Sequence, residues 1–208
     1  MTRQAEPVTL PTTEAQRARY GRVVEAATAI LTAGGEDALQ MKELAQRAGV
    51  SLDTLYRYFP SKEHVLAAIG VDRYERAFRK VLAQRSRGET VRERVTDYLL
   101  REFRTGQRNE RLTAALFRVR HGTSRGYGEV LERLYHRHID ILLLVAGESV
   151  TERQRQVLPV VTQVFGSAVS GWLSGIFSAA DARFEIRVGC RLLDLPDAVV
   201  GEDLELAR

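Results

Sequence analysis

The segment from Met41 to Lys62, MKELAQRAGVSLDTLYRYFPSK, decides how this chain is read. It holds two short helical stretches joined by a turn of a few residues that contains a glycine, the signature of a helix-turn-helix. In the first stretch, about Met41 to Ala48, the residues Leu44, Ala45 and Ala48 are small or apolar and share one face. They let a second helix approach closely. Gly49 permits the backbone to bend after that helix. Ser51 can cap the free amides of the next helix, which ends near Phe59-Pro60. Val50 and Leu55 anchor this second helix to the first. Ser51, Asp53, Thr54, Tyr56, Arg57 and Tyr58 leave its remaining surface largely polar. A helix so short is not stable alone, so its polar residues are presented by a scaffold.

Outward from this segment the chain reads as helix throughout, without alternating strand-like runs. Residues 1–12 carry two prolines and little apolar material, and are expected to form a flexible arm. A first helix is predicted from Glu14 to Ala33, capped by Thr13 and stopped by Gly34-Gly35, with Val23, Ala26, Ala27, Ile30 and Leu31 as its apolar stripe. A fourth starts at Ser61 and runs into the 80s through Leu66, Ile69, Tyr74 and Phe78. Thr90-Val-Arg-Glu93 and Thr151-Glu-Arg-Gln154 are capping boxes. Asn109 caps a helix reaching His121, Gly122 to Gly128 is a break, and a long helix follows from Glu129 to Ala146. Pro159 should kink the helix after Thr151. Asp181 is expected to cap a last helix through Leu193.

Bulk properties narrow the function classes. The chain has 208 residues, 44% of them hydrophobic and 28% charged, and no apolar run approaches the roughly 18 residues of a membrane helix. The start lacks the apolar block of a signal peptide, so a cytoplasmic location and no membrane partner are expected. Cys190 is the only cysteine, which excludes an intrachain disulfide and a cysteine metal cage. Residues 1–87 hold 14 basic and 10 acidic side chains, whereas residues 88–208 hold 17 of each. The net charge of +4 therefore lies in the N-terminal part, where it suits a polyanion.

The run Val50-Ser-Leu-Asp-Thr-Leu-Tyr-Arg-Tyr-Phe-Pro-Ser-Lys62 resembles the recognition-helix signature of the TetR family of repressors. In that family an apolar residue and Ser precede a Thr-Leu-Tyr-x-Tyr/His-Phe core, and a Lys opens the fourth helix. Ala27, the Gly34-Gly35 break and Leu44-Ala45 also fit, so the likeness covers about residues 14–70. Within the family, the run is most similar to actinobacterial regulators of steroid and lipid catabolism. The resemblance implies an all-α protein: a three-helix DNA-binding domain over residues 13–62, joined by helix 4 to a helical ligand-binding and dimerisation domain over 63–208.

It further implies that Thr54, Tyr56, Tyr58 and Lys62 hold the phosphate backbone, the tyrosine hydroxyls by donating and Lys62 beside the positive end of its helix. Ser51 heads the same helix. Lys42 stands where it reaches a base or a phosphate. Leu52 and Asp53 face base edges, with Leu52 able to touch a thymine methyl. Arg17 and Arg19 reach flanking backbone. Asp53 departs from the family pattern, which has glycine or another small residue there. Its carboxylate either accepts from a cytosine N4 in the major groove or turns away from DNA.

The C-terminal half shows no glycine-rich phosphate loop, no HExxH and no nucleophile elbow, so neither catalysis nor a cofactor is expected. Glu132, His136 and Asp140 share a helix face at metal-ligand spacing. A solvated face with ion pairs to Arg133 and Arg137 is the preferred reading, and no metal is expected. Family likeness implies a ligand pocket drawn from Leu99, Phe103, Leu116, Phe117, Tyr135, Phe165, Val169 and Trp172. Arg118, Arg120 and His121 suit an acidic group on a ligand. It also implies a dimer interface on the last two long helices, where Gly166, Ser167, Ser170, Gly171, Ser174 and Gly175 make a small-residue surface and Phe184, Val188, Leu192 and Cys190 add to it. Three readings compete. A ligand-responsive dimeric repressor of a palindromic operator, released by a small, mostly apolar effector, leads. A helical enzyme or carrier lacks a catalytic set. A ligand-blind architectural DNA binder has no use for the long apolar C-terminal half.

Overall fold

The computed structural model describes residues 11–84, 87–121 and 128–195, with backbone only at 120, 121 and 128–131. Among the described residues the regular elements are all helical: α1 (Glu14–Gly34), α2 (Met41–Arg47), α3 (Leu52–Tyr58), α4 (Lys62–Ala83), α5 (Val91–Arg108), α6 (Glu110–His121), α7 (Gly128–Ala146), α8 (Glu152–Leu173), α9 (Ala179–Cys190) and a 3₁₀ turn (Arg191–Asp194). Most of the arm (1–10), the glycine-rich break (122–127) and the tail beyond Leu195 lie outside the described residues.

Hydroxyl caps place the helix starts. Thr13 Oγ1 accepts from Gln16 N at 3.2 Å, and Gln16 Oε1 accepts from Thr13 N at 3.0 Å. Thr151 and Gln154 repeat the pattern at 3.2 and 3.0 Å. Thr90 and Glu93 do so before α5, and the backbone amides of Glu89 and Thr90 hold the Glu93 carboxyl below its usual range. Each such cap contributes about 1 kcal/mol. The last helix corrects the sequence reading. Its N-cap is Ser178, whose hydroxyl accepts from Asp181 N at 3.2 Å, while the Asp181 carboxylate accepts from Ser178 N at 2.9 Å. Asp181 is thus the third residue of the helix and closes a capping box with Ser178, and the helix ends at Cys190 before the 3₁₀ turn. α8 runs through Pro159 as one helix.

The chain divides into two compact units, and the division differs from a cut at residue 62. Of the described residues, those up to Arg76 and those within Gly106–Tyr135 form one unit; those within Ala77–Thr105 and from His136 to Leu195 form the other. α6 belongs with the helix-turn-helix because Leu112 and Ala115 are buried in one cluster with Val23, Ala27, Leu31, Leu44, Leu55 and Leu66. Arg111 donates through Nη1 to the carbonyl of Ala33, and Arg118 pairs with Glu36 at 3.4 Å, so α6 also closes the end of α1.

In the second unit the core is built from Leu99, Phe103, Ile141, Leu142, Leu158, Ala168, Ile186 and Leu193. Arg94 ties its ends together. Nε and Nη2 donate to Ala146 O at 3.1 and 2.6 Å, which caps the carboxyl end of α7, and Nη1 donates to Glu89 O at 2.8 Å. α8 and α9 approach closely because Gly189 lies against Val164; a Cβ there would stand 2.6 Å from Val164 Cγ1.

Candidate nucleic-acid interface

α3 has seven residues and owes its position to the core beneath it. Leu55, Tyr58 and Phe59 are buried, and Tyr20 from α1 lies over Phe59 with ring centroids 4.8 Å apart. Tyr20 meets Tyr58 edge to face at 6.3 Å. Burial, followed by the Asp72 carboxylate, pushes the Tyr20 hydroxyl up to about 12. The α2–α3 turn is fixed by Gly49 at φ +63 and by Arg22, whose Nε donates to Ala48 O at 3.1 Å. Nothing lies within 4 Å of an added Cβ at Gly49. Gly49→Ala is therefore expected to cost only the backbone penalty of the left-handed region, about 1–2 kcal/mol, in urea unfolding.

With one side of α3 in the core, the other faces out. Ser51, Leu52, Asp53, Tyr56 and Arg57 are exposed, Leu52 at 40% and Tyr56 at 45% of their surface. Ser51 caps the helix by accepting from Thr54 N at 3.1 Å and donates to Thr54 Oγ1 at 2.8 Å, which orients that half-buried hydroxyl. Lys42 is exposed on the first turn of α2, and Lys62 is half-buried as the first residue of α4. Behind Lys62, the Ser61 hydroxyl lies 2.9 Å from Nδ1 of buried His64, whose imidazole burial pushes below its ordinary range. Arg17 is exposed and donates to Thr12 O at 3.1 Å; Arg19 is half-buried.

Tyr58 is the correction in this set. Only 2% of it is accessible, so it secures α3 to α1 and has little to offer a phosphate. Its neighbour Arg57, to which sequence reasoning gave no role, is exposed with its guanidinium 5.7 Å from the centre of the Tyr58 ring. The signal was available: Arg57 follows Asp53 by four residues and shares its face.

The C-terminal candidates separate as well. Leu99, Phe103, Phe165 and Val169 are buried, with Phe103 edge to face against Trp172 at 5.3 Å and Phe165 stacked on His138 at 6.0 Å. Leu116, Phe117 and Tyr135 are half-buried in the first unit, where Leu116 packs on the helix-turn-helix core. None of the eight lines either cleft described in the second unit. Of the dimer candidates, Gly166 and Gly171 are buried within the chain, Gly171 beneath the Phe177 ring, and Cys190 is fully buried, which raises its thiol. These three do not face outward; Leu192 is half-buried. Ser167, Ser170, Ser174 and Gly175 are exposed, as are Phe184 at 66% and Val188 at 43%. Glu132 and His136 are exposed and Asp140 lies 3.6 Å from Arg137; among the described residues no three metal-capable side chains come together. Arg118 is engaged by Glu36, and the side chains of Arg120 and His121 lie outside the described residues. No described helix is long and apolar enough to cross a membrane.

Known proteins match this chain in two stretches, which do not coincide with the two compact units. Residues 23–69 match the family model described as "Bacterial regulatory proteins, tetR family", and residues 88–193 match "Tetracyclin repressor-like, C-terminal domain". The chain is 33% identical over 187 residues to an HTH-type transcriptional repressor KstR of Mycolicibacterium smegmatis, covering 86% of this chain and 89% of that one. It is 34% identical to the repressor of that name from Mycobacterium tuberculosis, covering 86% and 82%. A solved TetR transcriptional regulator from Rhodococcus sp. RHA1 superposes with a TM-score of 0.78 at 32% identity, over 86% of this chain and 97% of that chain.

Proposed function

The chain belongs to the TetR family of bacterial regulatory proteins, and from that premise we propose that it is a dimeric, ligand-released repressor of a palindromic operator. The observation that carries the reading is the outer face of α3. Its exposed Ser51, Leu52, Asp53, Tyr56 and Arg57 stand on a helix locked from behind by Leu55, Tyr58 and Phe59. Tyr56 and the oriented Thr54 hydroxyl, with Lys42 and Lys62 at neighbouring helix starts, supply phosphate contacts, while Leu52 and Asp53 read bases. The exposed faces of α8 and α9 pair two copies about a two-fold axis, which matches half-sites roughly 34–36 Å apart.

The effector is a small, mostly apolar molecule, of lipid or steroid origin by the subgroup likeness. It acts through α4, which is separated from α3 by three residues and runs unbroken from Lys62 to Ala83, contributing to both compact units. A continuous helix with residues in both units can carry coupling, and the effector and operator then weaken one another by the same factor.

Salt dependence tests the DNA reading. If the dimer makes 6–10 phosphate contacts, operator affinity should fall roughly 10³–10⁵-fold between 50 and 200 mM salt. Lys62→Gln should lower the slope of log affinity against log salt by about 1 for each subunit contact removed. A flat salt response, or a Lys62→Gln slope equal to that of the unaltered protein, would overturn the assignment.

A further inference from the structure

We propose that the cleft between α5 and α9 binds a compact anion carrying at least two negative charges, at a site separate from the operator surface. The cleft has a volume of about 420 Å³, within the range of small-molecule sites, and Arg92, Arg104, Arg183 and Arg187 stand on its walls around Thr96 and Leu100. Its acids are already engaged. The Glu93 carboxylate accepts from the amides of Glu89 and Thr90 at 2.9 and 3.3 Å, and Asp97 lies 2.9 Å from Arg101 Nη2. Arg92 is answered by Asp194 at 2.6 Å. Arg104, Arg183 and Arg187 have no carboxylate within ion-pair distance among the described residues.

Helical spacing brings these charges together. Thr96, Leu100 and Arg104 recur every four residues along α5, and Arg183 and Arg187 do so along α9. Like charges four apart on a helix repel, and a cleft concentrates the field of its walls. A second cleft of about 460 Å³ adjoins the first through Asp97 and Arg104 and adds Arg87 and Arg101. The guanidinium fork suits the paired oxygens of phosphoryl and carboxylate groups alike. A multiply charged anion therefore relieves the repulsion and gains bidentate hydrogen bonds, with Leu100 offering contact to an attached apolar part.

The test is calorimetric titration of the full-length protein, at low ionic strength and without DNA, with pyrophosphate in one arm and citrate in the other. Saturable binding of at least one anion is expected, weakened at least tenfold by Arg183→Gln with Arg187→Gln and also by Arg104→Gln. A charge-matched pair outside the cleft, Arg47→Gln with Arg155→Gln, should leave it within twofold. Preference for pyrophosphate would assign phosphoryl ligands, and preference for citrate carboxylates. The single Arg104→Gln variant keeps the test decisive if the double variant loses helicity. No saturable binding of either anion, an equal loss in the charge-matched pair, or affinity unchanged in the cleft variants would overturn the site.

Discussion

Replacing Phe184 and Val188 together with aspartate is expected to give a folded monomer that holds operator DNA at least 100-fold more weakly. Both side chains are exposed on α9, Phe184 at 66% and Val188 at 43%, so the change leaves the core of the chain untouched. In the proposed dimer each would be covered by the partner, and burying a large apolar side chain contributes about 1.5–3 kcal/mol. A carboxylate placed there without a partner reverses the sign. The monomer would run at the 23.4 kDa chain mass in light scattering, against about twice that for the unaltered protein. Operator affinity would fall with it, because joining two half-site readers commonly adds 10²–10⁴ to binding. Helical circular dichroism should not change. A dimer that survives both aspartates would place the interface away from α9, and the reading of two-fold operator symmetry from this face would go with it.

What could be read ahead of the structure depended on how local its determinants were. Thr13, Ser51, Thr90 and Thr151 act on amides within three residues, so their helix starts were visible in the sequence. Ser178 obeys the same rule, but Asp181 three residues on drew attention to itself and moved the predicted start. Tyr56 and Tyr58 have the same ring on one seven-residue helix. Tyr58 follows buried Leu55 by three residues and so shares its face, where Tyr20 of α1 covers it, whereas Tyr56 lies off that face. The stripe of small residues on α8 is ambiguous. Gly171 accommodates Phe177 inside the chain, whereas Ser170 beside it is exposed, and nothing in the run Ser-Gly-Trp distinguishes the two uses. The place of α6 beside the helix-turn-helix rests on Leu112 and Ala115, far along the chain from the residues they touch. The arginine cleft was illegible for the same reason: α5 and α9 bring together side chains about 80 positions apart, and neither contribution forms a motif.

Phe103→Ala is expected to cost about 3–5 kcal/mol, the usual cost of truncating a packed phenylalanine. Phe103 is 1% exposed, sits beside Leu99 one turn earlier, and meets the edge of Trp172 with ring centroids 5.3 Å apart. The aromatic pair adds about 0.5–1.5 kcal/mol to the area term. For a chain of 208 residues each kcal/mol lowers the melting temperature by roughly 2–4 °C, so a fall of about 10 °C should be seen. Trp172 is the only tryptophan, which gives the same variant an independent reading. Loss of the ring against it should let water reach the indole and move its emission to longer wavelength. Phe103→Leu, which keeps most of the volume, should lose far less. The magnitude also separates the two roles open to this residue. A side chain that walls an empty effector chamber already lacks neighbours on one side, so its truncation forfeits few contacts. A cost below about 1 kcal/mol would therefore place Phe103 on such a chamber, whereas the full cost places it in packed core and moves the search for the effector's apolar contacts to other residues.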